Sequence, residues 1–181
     1  MMMRTKLITR GALVGSWVLA YLLQHGAAIA APSQFEEDFD DAAKPWQEIA
    51  VQLPAVSKPS ALAPIYVSPT ATQSFSVATD TVTVGSDDVV RYVLVARSAS
   101  GAENISYEGM RCASLQHKAY AFGHADGSWT RSRRTDWVAI TGNAANRQYA
   151  ALAEGFFCEG GMVAGSQLDI VKRLKSGRPL R

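Results

Sequence analysis

Positions that alternate between apolar and polar fill the middle of the chain, and helical spacing of apolar residues appears clearly in one late segment. Thr81-Val82-Thr83-Val84 alternates strictly, which on a half-buried sheet turns both valines inward. Gly85 and Asp87-Asp88 supply a turn. Residues 89–98 follow as the strongest strand, apolar on both faces and therefore central in a sheet. Ser98-Ala99-Ser100-Gly101-Ala102-Glu103 reads as a hairpin connection with Gly101 able to take positive φ, and residues 104–115 as the returning strand. More strands are expected at 118–124 and 128–133, joined across Asp126-Gly127, and at 137–140. Upstream, residues 46–53 have the mixed pattern of an edge strand. Pro54, Pro59 and Pro64 then hold the chain out of regular structure, and Ile65-Tyr66-Val67 is a short strand ending at Pro69.

The helical segment is expected over residues 144–157, where Tyr149, Leu152, Ala153, Phe156 and Phe157 fall at i, i+3, i+4, i+7 and i+8 on one stripe, with Asn143 as its cap. The expected fold is α+β: a mainly antiparallel β-sheet in meander order with one C-terminal amphipathic helix packed on it. It forms a single domain over residues 46–160. Residues 161–181 form a basic tail with one apolar patch at 168–174 and a mobile end.

The N-terminus changes the picture of where this domain works. Arg4, Lys6 and Arg10 precede a thirteen-residue apolar run at 11–23, and Ala28-Ile29-Ala30 is a small-x-small cleavage site. Residues 1–30 are therefore expected to be a Sec-type export signal cleaved after Ala30, giving a periplasmic or secreted protein with no transmembrane segment left. A retained membrane anchor is the competing reading, but the run falls short of the roughly 20 residues that cross a bilayer. No cysteine lies near the cut, which excludes an acylated lipoprotein.

Charge and cysteine content follow from that. The 18 basic and 16 acidic residues give the whole chain +2, but three of the basic ones leave with the signal, so the mature chain is slightly acidic. Acidic residues dominate 31–110 and basic ones 111–181. Self-attraction between the halves is preferred over a charged docking face. Residues 31–45, with Glu36, Glu37, Asp38, Asp40 and Asp41 around Phe35 and Phe39, read as an acidic flexible arm. Their spacing lacks the glycine-centred calcium-loop pattern. Cys112 and Cys158 are the two cysteines, and in an oxidising compartment they are expected to form a disulfide. The rival, a catalytic thiol beside His117 or His124, would have to be kept reduced outside the cytoplasm.

Familiar catalytic motifs are missing: no P-loop, dinucleotide fingerprint, nucleophile elbow or zinc-ligand cluster is present, and neither a cofactor nor a metal is expected. Two groups of residues remain. If Ser100 and Gly101 are the hairpin turn, Arg91 opposes Met110 and Glu108 is a diagonal neighbour on the same face, among Val89, Val93 and Val95. The preferred reading is a structural ion pair, and the alternative is a small-ligand site or hydrolase built from Arg91, Glu108 and Arg111. A loop one residue longer would put Arg91 and Glu108 on opposite faces. The second group is Arg131, Arg133 and Arg134 beside Trp129 and Trp137, a composition suited to stacking and to anionic partners. Export and the acidic mature charge argue against nucleic acid, leaving an envelope protein or an anionic envelope polymer. Buried tryptophans with solvated arginines are the plainer interpretation.

Val89-Val90-Arg91-Tyr92, residues 98–101, Asn104-Ile105-Ser106-Tyr107-Glu108-Gly109-Met110-Arg111-Cys112, Trp129 and Phe157-Cys158 resemble the signature of the CNP-like family of exported proteobacterial proteins, over most of residues 35–158. The resemblance implies export and a matching pair of cysteines, and it carries over no catalytic residue. The expected function is a non-enzymatic cell-envelope interaction or binding protein using Trp129, Arg131 and Arg133.

Overall fold

The computed structural model describes residues 45–55, 59–143 and 146–180. The signal and acidic-arm assignments lie outside these residues, apart from Pro45. Strands β1 (Leu62–Ile65), β2 (Gln73–Val84), β3 (Val89–Ser98), β4 (Glu103–Arg111), β5 (Gln116–Gly123) and β6 (Trp129–Arg131) pair antiparallel in sequence order. β7 (Val138–Ala139) pairs with the other end of β5. This is the expected meander, and β3 occupies the residues assigned to it because its first seven side chains are buried on both faces.

Three assignments differ from expectation in more than their ends, and β6 stops at Arg131, leaving Arg133 in the loop beyond it. β2 begins eight residues before Thr81, carrying Phe75 and Val77 into the helix-covered face, and a bulge lies between Ala78 and Thr83. Thr81 fills it: its hydroxyl donates to Ala78 O and accepts from Val93 N. Residues 46–53 form no ladder. They run as an extended strap across one face of the sheet, with Trp46, Glu48, Val51 and Leu53 half-buried. β1 likewise sits earlier than Ile65-Tyr66-Val67. It accepts Pro64 because it is an edge strand, and Tyr66 beyond it is 75% exposed.

The other face carries the helical layer. Helix α1 (Arg147–Leu152) runs into a π-helical turn (Ala153–Phe157), and the stripe read from the sequence points inward through Leu152, Ala153, Phe156 and Phe157. Asn146, not Asn143, precedes the first turn; Asn143 instead accepts a hydrogen bond from the Asn146 N–H. The π turn leaves its carbonyls to be satisfied from downstream. Leu180 N donates to Gly155 O, Arg173 Nη1 to Phe156 O and Ala164 N to Phe157 O. Strands β8 (Cys158–Glu159) and β9 (Met162–Val163) form a small ribbon. Helix α2 (Gln167–Ser176) then opens on a capping box between Ser166 and Asp169 and buries Ile170 and Leu174. The segment set apart as a basic tail is thus part of the domain. Ile170, Val171 and Leu174 of its apolar patch pack in or against the core while Leu168 stays exposed, and Lys172, Lys175 and Arg178 are exposed while Arg173 caps carbonyls.

Cys112 and Cys158 are disulfide-bonded across 46 residues, tying the end of β4 to β8. Closing a loop of that size stabilises the native state by about 4 kcal/mol in the chain-entropy view. Among the described residues no helix is long and apolar enough to cross a membrane.

Candidate functional site

The β3–β4 hairpin decides where the candidate residues go. Arg97 pairs with Glu103, and Ser98 N donates to Ala102 O, so the loop is Ala99-Ser100-Gly101, with Gly101 at φ 87°. Three-residue hairpins of this kind need a residue at positive φ, and glycine takes it without strain. The loop is one residue longer than a turn at Ser100 and Gly101, and the register shifts by one: Arg91 faces Gly109, and Tyr92 faces Glu108. Because side chains alternate along a strand, Arg91 and Glu108 lie on opposite faces of the sheet, and the expected ion pair between them is not formed.

On the strap-covered face, Arg91 is 4% exposed and forks onto Asp87, four residues earlier across the β2–β3 turn. Nη1 reaches Oδ1 at 3.0 Å and Nη2 reaches Oδ2 at 2.6 Å. Asp87 also accepts from the Ile49 N–H, and its backbone carbonyl accepts from the Trp46 indole. Burial pushes the Asp87 acid up, but the bonds from Arg91 and Ile49 and the Arg91 charge outweigh it and hold the carboxyl below its ordinary value. Glu48 lies 3.9 Å from Arg91 and accepts from Lys118 at 2.8 Å and Tyr120 at 2.6 Å. Arg111 stacks 3.9 Å over the Trp46 ring. Gly109 makes this possible, since a Cβ there would collide with the Tyr120 ring and hydroxyl that lean across it to Glu48. The cluster is a clamp that fastens residues 46–53 to the sheet.

On the helix-covered face, Glu108 is 2% exposed and forms no ion pair among the described residues. Its carboxyl accepts from Ser106 at 2.6 Å, Tyr149 at 3.2 Å and Tyr92 at 3.4 Å. Burial dominates over these hydroxyls and raises its pKa to about 7. Tyr149 also stacks on His117 at 3.6 Å, and burial lowers that imidazole to about 4. His117 Nδ1 is buried without a hydrogen-bond partner. A carboxyl that titrates near neutrality beside a neutral imidazole can hold or release a proton, though both sit beneath Tyr149 and inside the packed layer.

The sheet therefore separates Glu108 from Arg91 and Arg111, and the three do not converge on one point. Trp129 turns inward. Its indole donates to Pro54 O, and its ring lies 6.3 Å from Tyr107 in the strap-side core. Arg131, Arg133 and Arg134 are exposed, and none forms an ion pair among the described residues. Sequence reasoning missed Glu48, Asp87 and Tyr120 around the buried arginine, and Lys118 as the second cation bound to Glu48. The available signal was Asp87 itself, already placed in the turn that leads into Arg91. No group of His, Cys, Asp and Glu side chains among the described residues is arranged to hold a metal ion.

The arrangement defines a small disulfide-bonded meander domain whose interior charges serve its packing and whose unpaired cations lie outside. Residues 41–175 match the profile of the CNP1-like family, and the chain belongs to that family. It is also similar to Cryptic neisserial protein 1 of Neisseria gonorrhoeae, at 33% identity over 101 residues, covering 49% of this chain and 49% of that protein. The chain thus matches that curated relative over about half of its length. No solved structure matches.

Proposed function

We propose that the protein is exported to the periplasm and acts there as a non-enzymatic interaction protein of the cell envelope. Its contact surface is the basic ridge of Arg131 and Arg133, braced from beneath by Trp129. The observation that carries this reading is the contrast in how charges are used. Arg91 is buried and Lys118 half-buried, both tied to carboxylates of the clamp, whereas Arg131 and Arg133 are exposed and pair with no acid among the described residues. Exposed, unpaired guanidinium groups at the end of β6 and in the loop just beyond it suit an anionic partner, either an envelope protein or an anionic envelope polymer. Export is supported by the pattern of residues 1–30 and by the Cys112–Cys158 bond, which persists in an oxidising compartment.

The test is crosslinking of tagged protein in intact cells, comparing the wild type with Arg131→Ala/Arg133→Ala and identifying captured envelope components by mass spectrometry. The variant should melt within about 2 °C of wild type, as surface changes do, and lose a recurrent envelope component. Capture that is unchanged by the double substitution removes this surface.

A further inference from the structure

Between the strap and the β6 edge lies a cleft of about 320 Å³, whose walls include Glu48, Ile49, Lys118, Tyr120, Arg131 and Arg134. Three cations reach it from three separate places: Lys118 from β5, Arg131 from the end of β6 and Arg134 from the loop beyond. One carboxylate faces them, and Glu48 is already satisfied, with Oε1 taking the Tyr120 hydroxyl and Oε2 the Lys118 ammonium. The cleft therefore keeps a net positive charge that nothing among the described residues neutralises.

We propose that this cleft binds a phosphoryl group carried on a small polyol or sugar unit. The inference deepens the reading of Arg131 as part of the contact surface and rests on it. Two guanidinium groups and an ammonium offer more charged N–H donors than the two oxygens of a carboxylate can accept. The three terminal oxygens of a phosphate monoester match them better, and planar guanidinium forks bind such oxygens in pairs. Lys118 is held in place by Glu48 with its side chain 14% exposed, so one donor is positioned before any ligand arrives. Ile49 and Tyr120 add an apolar flank on which the carbon skeleton of the unit can rest. The volume is at the small end of ligand sites, which fits a phosphorylated unit and not a longer segment. Arg133 does not line the cleft, so it separates cleft binding from general attraction to the ridge.

The experiment is calorimetric titration of the purified, disulfide-intact protein with glycerol phosphate at near-physiological salt. Saturable one-to-one binding is expected, weakened about tenfold or more in Arg131→Ala/Arg134→Ala. Arg133→Ala should change it less than about twofold, and all melting temperatures should stay together. Absence of saturable binding, or equal binding by the Arg131/Arg134 variant, overturns the proposal. Flotation with phosphatidylglycerol and phosphatidylcholine vesicles distinguishes the source. Retention on phosphatidylglycerol that glycerol phosphate displaces assigns a lipid headgroup to the cleft, and no retention assigns a soluble or polymer-borne ester. Retention that neither glycerol phosphate nor the Arg131/Arg134 change affects counts against the cleft. If glycerol phosphate does not bind while Arg131→Ala/Arg133→Ala still loses its partner in cells, the cleft fails and the ridge reading stands.

Discussion

The two faces of the sheet are held by different physics. One is covered by α1, the π turn and α2 over an apolar core in which Tyr92, Phe157, Leu152, Ile170 and Leu174 are almost wholly out of water. Its one buried acid among the described residues, Glu108, accepts hydrogen bonds from hydroxyls. The other face is covered by a strap with no regular structure of its own, and there the Asp87 carboxylate of a buried fork with Arg91 accepts from the Ile49 backbone N–H, while the Asp87 backbone carbonyl accepts from the Trp46 indole. An element too short and too polar to bury much area can still be fixed if its own N–H groups complete a buried ion pair. A helix with an apolar stripe needs no such device. The burial of charge on the strap side is therefore a means of attachment, and the cost of desolvation is offset by several bonds to each charged group.

The largest effect should come from the helix side. Phe157→Ala removes a fully buried ring whose centroid lies 4.9 Å from that of Tyr92. It should cost about 3–5 kcal/mol in urea unfolding. A cost under about 1 kcal/mol would mean the helical layer is not the main source of stability. On the strap side, Asp87→Asn leaves the Arg91 charge buried with only Glu48 nearby, at 3.9 Å, and should cost about 3 kcal/mol. Its signature is regional: the Ile49 amide should exchange faster with solvent while amides at the centre of β3 keep their protection. Uniformly faster exchange would show that the clamp supports the whole domain and that the two faces are not separable.

The helix side also makes a pH prediction, because its two titrating groups pull in opposite directions. Glu108 titrates near 7 in the folded protein against an ordinary 4.5. Its contribution is complete below about 4.5 and is lost as pH rises through 7. His117 titrates near 4 against an ordinary 6.5, so its contribution is complete above 6.5 and is lost as pH falls toward 4. Between about pH 4.5 and 6.5 the two slopes oppose, and wild-type stability should change little. Glu108→Gln removes one of them. The stability of the variant relative to wild type should then rise by about 2–3 kcal/mol between pH 4.5 and 8. A difference between the two proteins that does not vary with pH would show that Glu108 titrates normally.

The contrast between faces also explains what could be read in the sequence. β3 was legible residue by residue because it is apolar on both sides, and the helical stripe from Tyr149 to Phe157 because five positions agree on one face. The extra eight residues of β2 are signalled by Phe75 and Val77 alternating with serines, a pattern as regular as Thr81 to Val84. The strap resembled a strand because alternate burial sets its side chains too, while its hydrogen bonds go to Asp87 and not to a ladder. The placement of Glu108 turned on a single residue of loop. Hydrophobic pattern could not settle it, since β3 presents valines to the strap side and Val90 and Leu94 to the other. The cleft was least legible, because its cations come together only through the pairing of β5 with β6.

The smallest effect sharpens the comparison by taking the same chemistry into water. Arg97 and Glu103 end the hairpin as a close guanidinium–carboxylate pair, like Arg91 and Asp87 in type, but both side chains are more than a third exposed. There the solvent screens the attraction, and ordering two long side chains opposes it. Arg97→Ala should therefore cost less than about 1 kcal/mol and become indistinguishable from wild type in high salt. Asp87→Asn should keep most of its cost under the same conditions, because mobile ions cannot reach a pair enclosed by the strap. If added salt relieved both substitutions equally, the strap would not exclude solvent, and the clamp would be a surface ion pair like the one at the hairpin tip.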